Sequence, residues 1–181
     1  ILSSDAGNNE FLDGDVGATA TSVLLNLGDK KKFYLGIGWE QHDTDALDDQ
    51  SIIRVGGIAN FGPIRLHGLY QQASDQSFVP GADRDVYGVG ASFKSGPNKF
   101  KAQYYVADDV DGTNETGGDI AMLGWDHSLA KSTTVYLQYA TISNDDNSSF
   151  TLSGNGHGVG GADQATGGDI DGFSAGLQVK F

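Results

Sequence analysis

The chain has 181 residues, enough for one domain, and no cysteine, which excludes disulfide bonds and thiolate metal sites. Its formal charge of −13 argues against a nucleic-acid partner, because nucleic-acid binders normally present a basic face. The sequence has no run of about 18 apolar residues, so no transmembrane helix is predicted.

Apolar and polar residues alternate along most of the chain, and this period of two predicts β-strands rather than helices. In the segment FYLGIGWE, Phe33, Leu35, Ile37 and Trp39 share one face, and polar residues and glycines occupy the other. The same pattern predicts nine strands, at residues 16–28, 33–43, 51–62, 63–74, 86–96, 98–107, 119–131, 133–145 and 170–181.

The predicted strands have the length that a membrane-spanning sheet needs. A strand of about ten residues rises roughly 33 Å and, tilted near 45°, covers the apolar thickness of an outer membrane. Strands of soluble sandwiches average about five or six residues. The expected fold class is therefore all-β, a transmembrane antiparallel up-and-down β-barrel in which residues 1–181 form a single segment of about nine strands. A soluble up-and-down barrel is the alternative.

The connections between the predicted strands alternate between short and long. Short turns follow 16–28, 51–62, 86–96 and 119–131, whereas the other connections are long and acidic or Gly-rich, including residues 146–169. Short turns at one end and long extracellular loops at the other are typical of bacterial outer-membrane barrels. Residues 1–15 show no convincing alternation and are predicted to be the remnant of an extracellular loop.

The last predicted strand alternates up to the final residue, with apolar side chains at Phe173, Ala175, Leu177, Val179 and Phe181. This ending resembles the C-terminal signal of Gram-negative outer-membrane barrels, in which a terminal aromatic residue follows apolar residues at alternate positions. The resemblance implies that the assembly machinery reads this strand, with Phe173, Leu177, Val179 and Phe181 as the signal.

Residues 123–147 carry a second resemblance, because they are similar to the penultimate hairpin of the trimeric general porins. The positions that match are Gly124, Leu129, Lys131, Thr133, Tyr136, Tyr139 and Asn144, and those that depart are His127, Ala130 and Ser132. The resemblance covers the last third of the chain well and the middle by pattern only. It implies a homotrimer in the bacterial outer membrane, in contact with lipid and lipopolysaccharide, with no cofactor.

Nine strands do not close a bacterial barrel, because these barrels have an even number of strands. The resulting sheet would have open edges at 16–28 and 170–181. We therefore expect the chain to be the C-terminal part of a sixteen-stranded porin whose N-terminal segment is missing. A complete ten-stranded barrel, with residues 1–10 as an irregular first strand, is the alternative.

The porin resemblance implies a passive channel through which small hydrophilic solutes and ions diffuse. Arg and Lys on the lipid face would each cost about 2–4 kcal/mol at the bilayer midplane, so bases in alternation with apolar residues belong inside. The expected pore-lining bases are Arg54, Arg65, Lys94, Lys99, Lys101 and Lys180. They form either a strip that attracts anions, with Arg54, Arg65 and Lys101 as the best candidates, or a rim that only solubilises the wall.

The opposite face is expected to contact lipid through Phe33, Leu35, Ile37, Trp39, Phe93, Phe100, Leu137 and Phe173. The acidic residues concentrate in the predicted outer loops, where they either bind divalent cations that bridge lipopolysaccharide or form a solvated rim, which is the simpler interpretation. The inward-folded constriction loop that general porins carry in their N-terminal half is not found in this sequence.

No enzyme is predicted. Asp126, His127 and Ser128 are the residue types of a hydrolase triad, but adjacent strand residues point to opposite faces and cannot share one site. No catalytic residue or metal site is therefore assigned. A barrel enzyme, a substrate-specific channel and a small barrel that serves as a structural anchor or adhesin remain alternatives, although the many inward glycines argue against the filled lumen of such an anchor.

Overall fold

In the part of the chain that the structure describes, ten strands form one antiparallel sheet, and each strand pairs with the next one along the chain. The computed structural model describes residues 2–6, 18–44, 47–152 and 166–180. The strands are β1 Leu2–Ala6, β2 Ala18–Asp29, β3 Phe33–Thr44, β4 Leu47–Phe61, β5 Ile64–Ser74, β6 Arg84–Ser95, β7 Asn98–Ala107, β8 Gly118–Ala130, β9 Thr133–Asn144 and β10 Ile170–Val179.

The all-β, up-and-down architecture predicted from the alternation is confirmed, and each of the nine predicted strands is present as β2 to β10. The tenth strand, β1, lies within residues 1–10, which only the ten-stranded alternative had as an irregular first strand. Leu2–Ala6, placed in a loop by the sequence analysis, form a short strand that pairs with residues 19–23 of β2. Its sequence LSSDA gives no period-two signal, yet strand pairing uses main-chain groups and needs no apolar side chains. The rest of the predicted loop, residues 7–15, lies outside the described residues.

The two ends of the sheet differ, as the sequence predicted. At the turn end, two to three residues join β2 to β3, β4 to β5, β6 to β7 and β8 to β9. At the loop end, longer connections join β5 to β6, β7 to β8 and β9 to β10. Within the residues that the structure describes, the single helix is the three-residue 3-10 turn Gln76–Phe78, and no helix there could cross a bilayer.

The expected long loop between β3 and β4 is largely strand instead. The two strands extend to Thr44 and Leu47, with an irregularity in the pairing between His42 and Thr44. Gln41 helps to hold this extension, because its Nε2 donates to Asp43 at 2.5 Å and to Asp49 on β4 at 3.3 Å. Acidic composition suggested a loop here, but Gln41 donates to one carboxylate on its own strand and to one on the neighbouring strand, within a hairpin.

The sheet has almost no apolar core. Among the described residues, Ala73 and Ile142 are the only buried hydrophobic residues, whereas Phe173 is 71% exposed and Leu123 is 61% exposed. Leaving a large apolar side chain in water forgoes about 1.5–3 kcal/mol of burial free energy. So many exposed apolar side chains on one continuous sheet indicate an apolar solvent.

Most of the exposed large apolar residues lie on one face, which we call the outer face. The pairing places all eight expected lipid-contacting residues on it, and two aromatic belts border it. Near the turn end the belt is Phe33, Phe61, Phe93, Phe100 and Trp125, and near the loop end it is Trp39, Tyr70, Tyr87, Tyr104 and Tyr139. Belts of aromatic residues at both interfaces are typical of outer-membrane β-barrels.

The sheet does not close on itself within the described residues. The first strand pairs with β2 and the last with β9, and no pairing joins β1 to β10. The open edges are therefore β1 and β10, whereas the sequence analysis placed the first of them at residues 16–28. The difference follows from strand β1, which the nine-stranded prediction lacked and which pairs with residues 19–23 of β2.

Candidate functional site

The opposite face, which we call the inner face, carries the basic residues of the described strands and many glycines, beside a few apolar side chains such as Ile58 and Leu69. Along β3 it presents Tyr34, Gly36, Gly38 and Glu40, in phase with Arg54 on β4. A concave depression of about 750 Å³ opens on this face. Its lining contains four of the six predicted pore-lining bases, namely Arg54, Arg65, Lys99 and Lys101.

The strand register brings four of the predicted bases together on β5, β6 and β7. Arg65 is directly opposite Ser92, which is in turn opposite Lys101. Lys94 and Lys99 are directly opposite each other, two residues nearer the turn end than Ser92 and Lys101. These five residues form one patch, which we call the basic patch.

The other two predicted bases lie apart from the basic patch. Arg54 is opposite Gln71, six residues along β5 from Arg65 toward the loop end. Lys180 follows β10, and its backbone N–H donates to the carbonyl of Ser132 at 2.9 Å. Both positions are in phase with the inner face, but neither contributes to the patch.

Arg54 is tied to the wall by neighbouring polar groups. Its Nε donates to Oε1 of Gln71 at 2.6 Å, and its Nη1 lies 3.5 Å from Oε2 of Glu40. The other carboxylate oxygen of Glu40 lies 2.6 Å from Nε2 of His42. Because Glu40 faces both side chains, much of the positive charge of Arg54 is compensated locally.

Lys101 is also paired. Its Nζ donates to Oδ1 of Asp126 at 2.6 Å, and both side chains are about one-quarter exposed. The strand register places Asp126 opposite Lys99 rather than Lys101, so the lysine reaches diagonally across Gly124. A Cβ at Gly124 would lie 2.8 Å from Cε of Lys101, which shows how closely the lysine chain follows the wall.

Sequence reasoning missed the two carboxylates, Glu40 and Asp126, that partner these bases. Asp126 entered that reasoning only as a rejected triad member, and the structure separates it from His127 as predicted. The ring of His127 lies on the outer face, where its Nδ1 is 2.8 Å from Oδ1 of Asn98. The alternation could have revealed Asp126. Because Asp126 is two residues from Gly124 on the same strand, it lies on the same face as Gly124, Lys99 and Lys101.

Large inner-face side chains lie flat against the wall, over glycines of the neighbouring strand. The ring of Tyr105 covers Gly88, the ring of His67 covers Gly90, and the phenol of Tyr136 covers Gly176. A Cβ at any of these glycines would overlap the side chain above it. These inward glycines therefore let bulky residues lie along the wall and leave the space above the inner face open.

The loop-end connections are joined by main-chain hydrogen bonds. The N–H of Asp111 donates to the carbonyl of Asp83 at 2.9 Å, which links the β7–β8 and β5–β6 connections. The N–H of Asn147 donates to the carbonyl of Glu115 at 2.7 Å, which links the β9–β10 and β7–β8 connections. Among the residues that the structure describes, no three acidic or histidine side chains are grouped so as to hold a metal ion.

The β9–β10 connection turns back over the inner face at the loop end. Phe150 packs against Gly118, where a Cβ would lie 3.0 Å from the ring, and the guanidinium of Arg84 lies 5.3 Å from the centre of the same ring. Asn144 holds this turn, because its Nδ2 donates to the carbonyls of Phe150 and Gly168 at 3.1 and 2.7 Å. The described part of this connection, residues 145–152 and 166–169, therefore packs against the inner face at the loop end.

Asp109 organises the β7–β8 connection. The N–H groups of Thr116 and Gly117 donate to its Oδ1 at 2.6 and 2.8 Å, and these bonds lower the pKa of the carboxyl below its ordinary value. A lowered folded-state pKa means that the carboxylate stabilises the folded loop above the unfolded pKa, near 3.9, and that this contribution is lost as the pH falls through the folded pKa.

We expect Asp109→Asn to increase hydrogen exchange at the amides of Thr116 and Gly117 at neutral pH, because a neutral amide oxygen accepts more weakly than a carboxylate. In the unmodified protein the same amides should lose protection only below about pH 4. Asp111→Asn is the control, since the structure shows no side-chain bond from Asp111 to these amides. Unchanged protection in Asp109→Asn would contradict the assignment.

The predicted assembly residues of β10 lie on the outer face where the structure describes them. Phe173, Leu177 and Val179 are exposed and point away from the inner face. Phe181 lies outside the described residues. The role of these residues as a signal stays a prediction.

Comparison with known proteins agrees with this architecture. The family model described as Gram-negative porin matches residues 3–147. The anion-selective porin from Comamonas acidovorans superposes with a TM-score of 0.73 at 24% identity, over 99% of this chain and 59% of that one. A porin refined at 1.8 Å resolution superposes with a TM-score of 0.63 at 18% identity, over 99% of this chain and 57% of that one.

Among curated protein sequences, none matches the chain significantly. The chain spans less than two thirds of the length of the two porin structures. At these identities, the two structures show that the chain shares their fold. The family match covers most of the sequence and agrees with the apolar outer face, its aromatic belts and the polar inner face. The chain belongs to the Gram-negative porins of the bacterial outer membrane.

Proposed function

We propose that the chain forms part of the wall of a water-filled channel through which small hydrophilic solutes and ions diffuse passively. The observation that carries this proposal is the division of one sheet into an apolar outer face and a polar, concave inner face. Side chains that lie flat over inward glycines support an open lumen. A barrel that served only as an anchor would be expected to fill its interior with packed side chains.

The charge of the inner face favours anions. Four bases and one carboxylate meet on β5 to β8, although the whole chain carries a charge of −13. Rings and patches of Lys and Arg are the usual means by which pores select anions. One porin of similar fold is itself described as anion-selective, which agrees with this proposal.

We further propose that an N-terminal segment of the same polypeptide completes the barrel. Unpaired backbone groups in hydrocarbon cost several kcal/mol each, so the open edges at β1 and β10 need partner strands. A sixteen-stranded barrel, assembled as a homotrimer among lipid and lipopolysaccharide, accounts for the shared fold and for the partial coverage of both porin structures. The C-terminal residues Phe173, Leu177, Val179 and Phe181 then serve as its assembly signal.

Recording from planar bilayers that contain the complete porin tests the channel. We expect stepwise conductance that rises in proportion to salt concentration, and a zero-current potential in a potassium chloride gradient whose sign shows preference for chloride. A protein that inserts fully but conducts nothing would support the anchor instead. Conductance that saturates with one solute class would favour a substrate-specific channel.

We expect Asp126→Asn to increase the preference for chloride, because it leaves Lys101 without its carboxylate partner and adds positive potential to the lumen. The measurement is the zero-current potential in a fixed potassium chloride gradient. Asp171→Asn is a matched control, since Asp171 lies on the outer face and accepts from Tyr139 at 2.5 Å. Equal shifts in the two variants would show that Asp126 does not act through the lumen.

A further inference from the structure

We propose that the basic patch is a binding site for a divalent oxyanion, such as inorganic phosphate or the phosphate group of a small ester. The inference rests on the channel proposed above and names a class of solute that the channel holds in transit. The site is centred on Ser92, with Arg65 and Lys99 as its principal ligands.

Four basic side chains surround Ser92 on the inner face. Arg65 and Lys101 are its direct neighbours on either side, Lys94 lies two residues along the same strand, and Lys99 is diagonal to it. Direct cross-strand neighbours have Cβ atoms about 5 Å apart, and diagonal neighbours about 7 Å. Long basic side chains on this spacing can converge on one tetrahedral anion, and the serine hydroxyl can donate to it.

Most of the positive charge in the basic patch is uncompensated. Lys101 is paired with Asp126, but Arg65, Lys94 and Lys99 form no ion pair with any residue that the structure describes. Lys94 and Lys99 are directly opposite each other, and like charges in that position destabilise a sheet. A bound dianion would remove this repulsion, whereas a monovalent ion would leave most of it.

The basic patch is open to the lumen and faces away from lipid. Arg65, Ser92, Lys99 and Lys101 all line the 750 Å³ depression of the inner face, so a solute reaches the patch from the lumen. Arg and Lys form strong charge-assisted hydrogen bonds with phosphate oxygens. Because the patch faces away from lipid, its ligand is a dissolved phosphate group and not the headgroup of a membrane lipid.

The test is the block of chloride current by inorganic phosphate in planar bilayers that contain the complete porin. At pH 8, where phosphate is mainly divalent, we expect added potassium phosphate to lower the chloride conductance, whereas potassium chloride added to the same ionic strength should raise it. Arg65→Gln and Lys99→Gln should each raise the half-blocking concentration about tenfold, as loss of one charge-assisted contact predicts. Ser92→Ala leaves every charge in place and should raise the half-blocking concentration by a smaller factor.

Lys131→Gln in the β8–β9 turn is the matched control, because it removes one positive charge outside the patch and should barely change the block. The proposal is overturned if phosphate has no effect beyond ionic strength, or if Lys131→Gln weakens the block as much as Arg65→Gln. A porin that prefers chloride yet shows no phosphate block would refute this site alone. A protein without conductance would instead refute the channel on which the site rests.

Discussion

Replacing Leu123 with arginine should destabilise the membrane-inserted protein by about 2–4 kcal/mol, the cost of a basic residue on the lipid face near the bilayer midplane. Leu123 is in the middle of β8, on the outer face, and is 61% exposed. No neighbouring acidic group compensates the charge in the described part of the sheet. The measurement is the free energy of unfolding of the complete porin in lipid vesicles, from reversible denaturant titration.

Gln138→Arg is the matched control for this substitution. Gln138 is on the adjacent strand β9, directly opposite Gly124, and therefore on the inner face. An arginine there would project into water and should change stability by less than about 1 kcal/mol, in keeping with exposed substitutions elsewhere. If both variants lost stability equally, the assignment of the two faces would be wrong.

The strands could be predicted because a membrane-spanning sheet separates its residues by face in every strand. Phe33 to Trp39 and Phe100 to Val106 alternate without a break, so period-two counting found both strands within one or two residues of their ends. Counting failed in two mostly polar segments, Leu2–Ala6 and the part of β4 from Leu47 to residue 50. Their pairing partners cannot be recognised from local pattern.

The candidate site was only partly predictable. Alternation placed Arg65, Lys99 and Lys101 on one face, but it could not show that Ser92 lies at their centre, because that depends on the register between β5, β6 and β7. Register is set by turn geometry and by the pairing of whole strands, which local sequence encodes weakly. Alternation also could not show which bases are paired. Of the three best candidates, Arg54 and Lys101 have carboxylate partners, whereas Arg65 forms no ion pair with a residue that the structure describes.

The inward glycines lead to the second prediction with a large effect. Gly88→Ala should lower the single-channel conductance, because the new methyl group would occupy the space of the Tyr105 ring and lift that ring from the wall into the lumen. If the ring could not move, the overlap would instead destabilise the protein by about 1–3 kcal/mol, as overpacking does elsewhere. Conductance and unfolding free energy, measured on the same variant, separate these two responses.

Gly56→Ala is the matched control for the glycine effect, since it makes the same change on the same face where the nearest atoms would lie at 3.7 Å, an ordinary van der Waals distance. Its conductance should remain that of the unmodified porin. The double variant Gly88→Ala with Tyr105→Ala should recover the conductance lost in Gly88→Ala, because no ring remains to be displaced. If removing the ring brings no recovery, Gly88 does not act through Tyr105, and flat packing of large side chains over glycines is not what keeps this part of the lumen open.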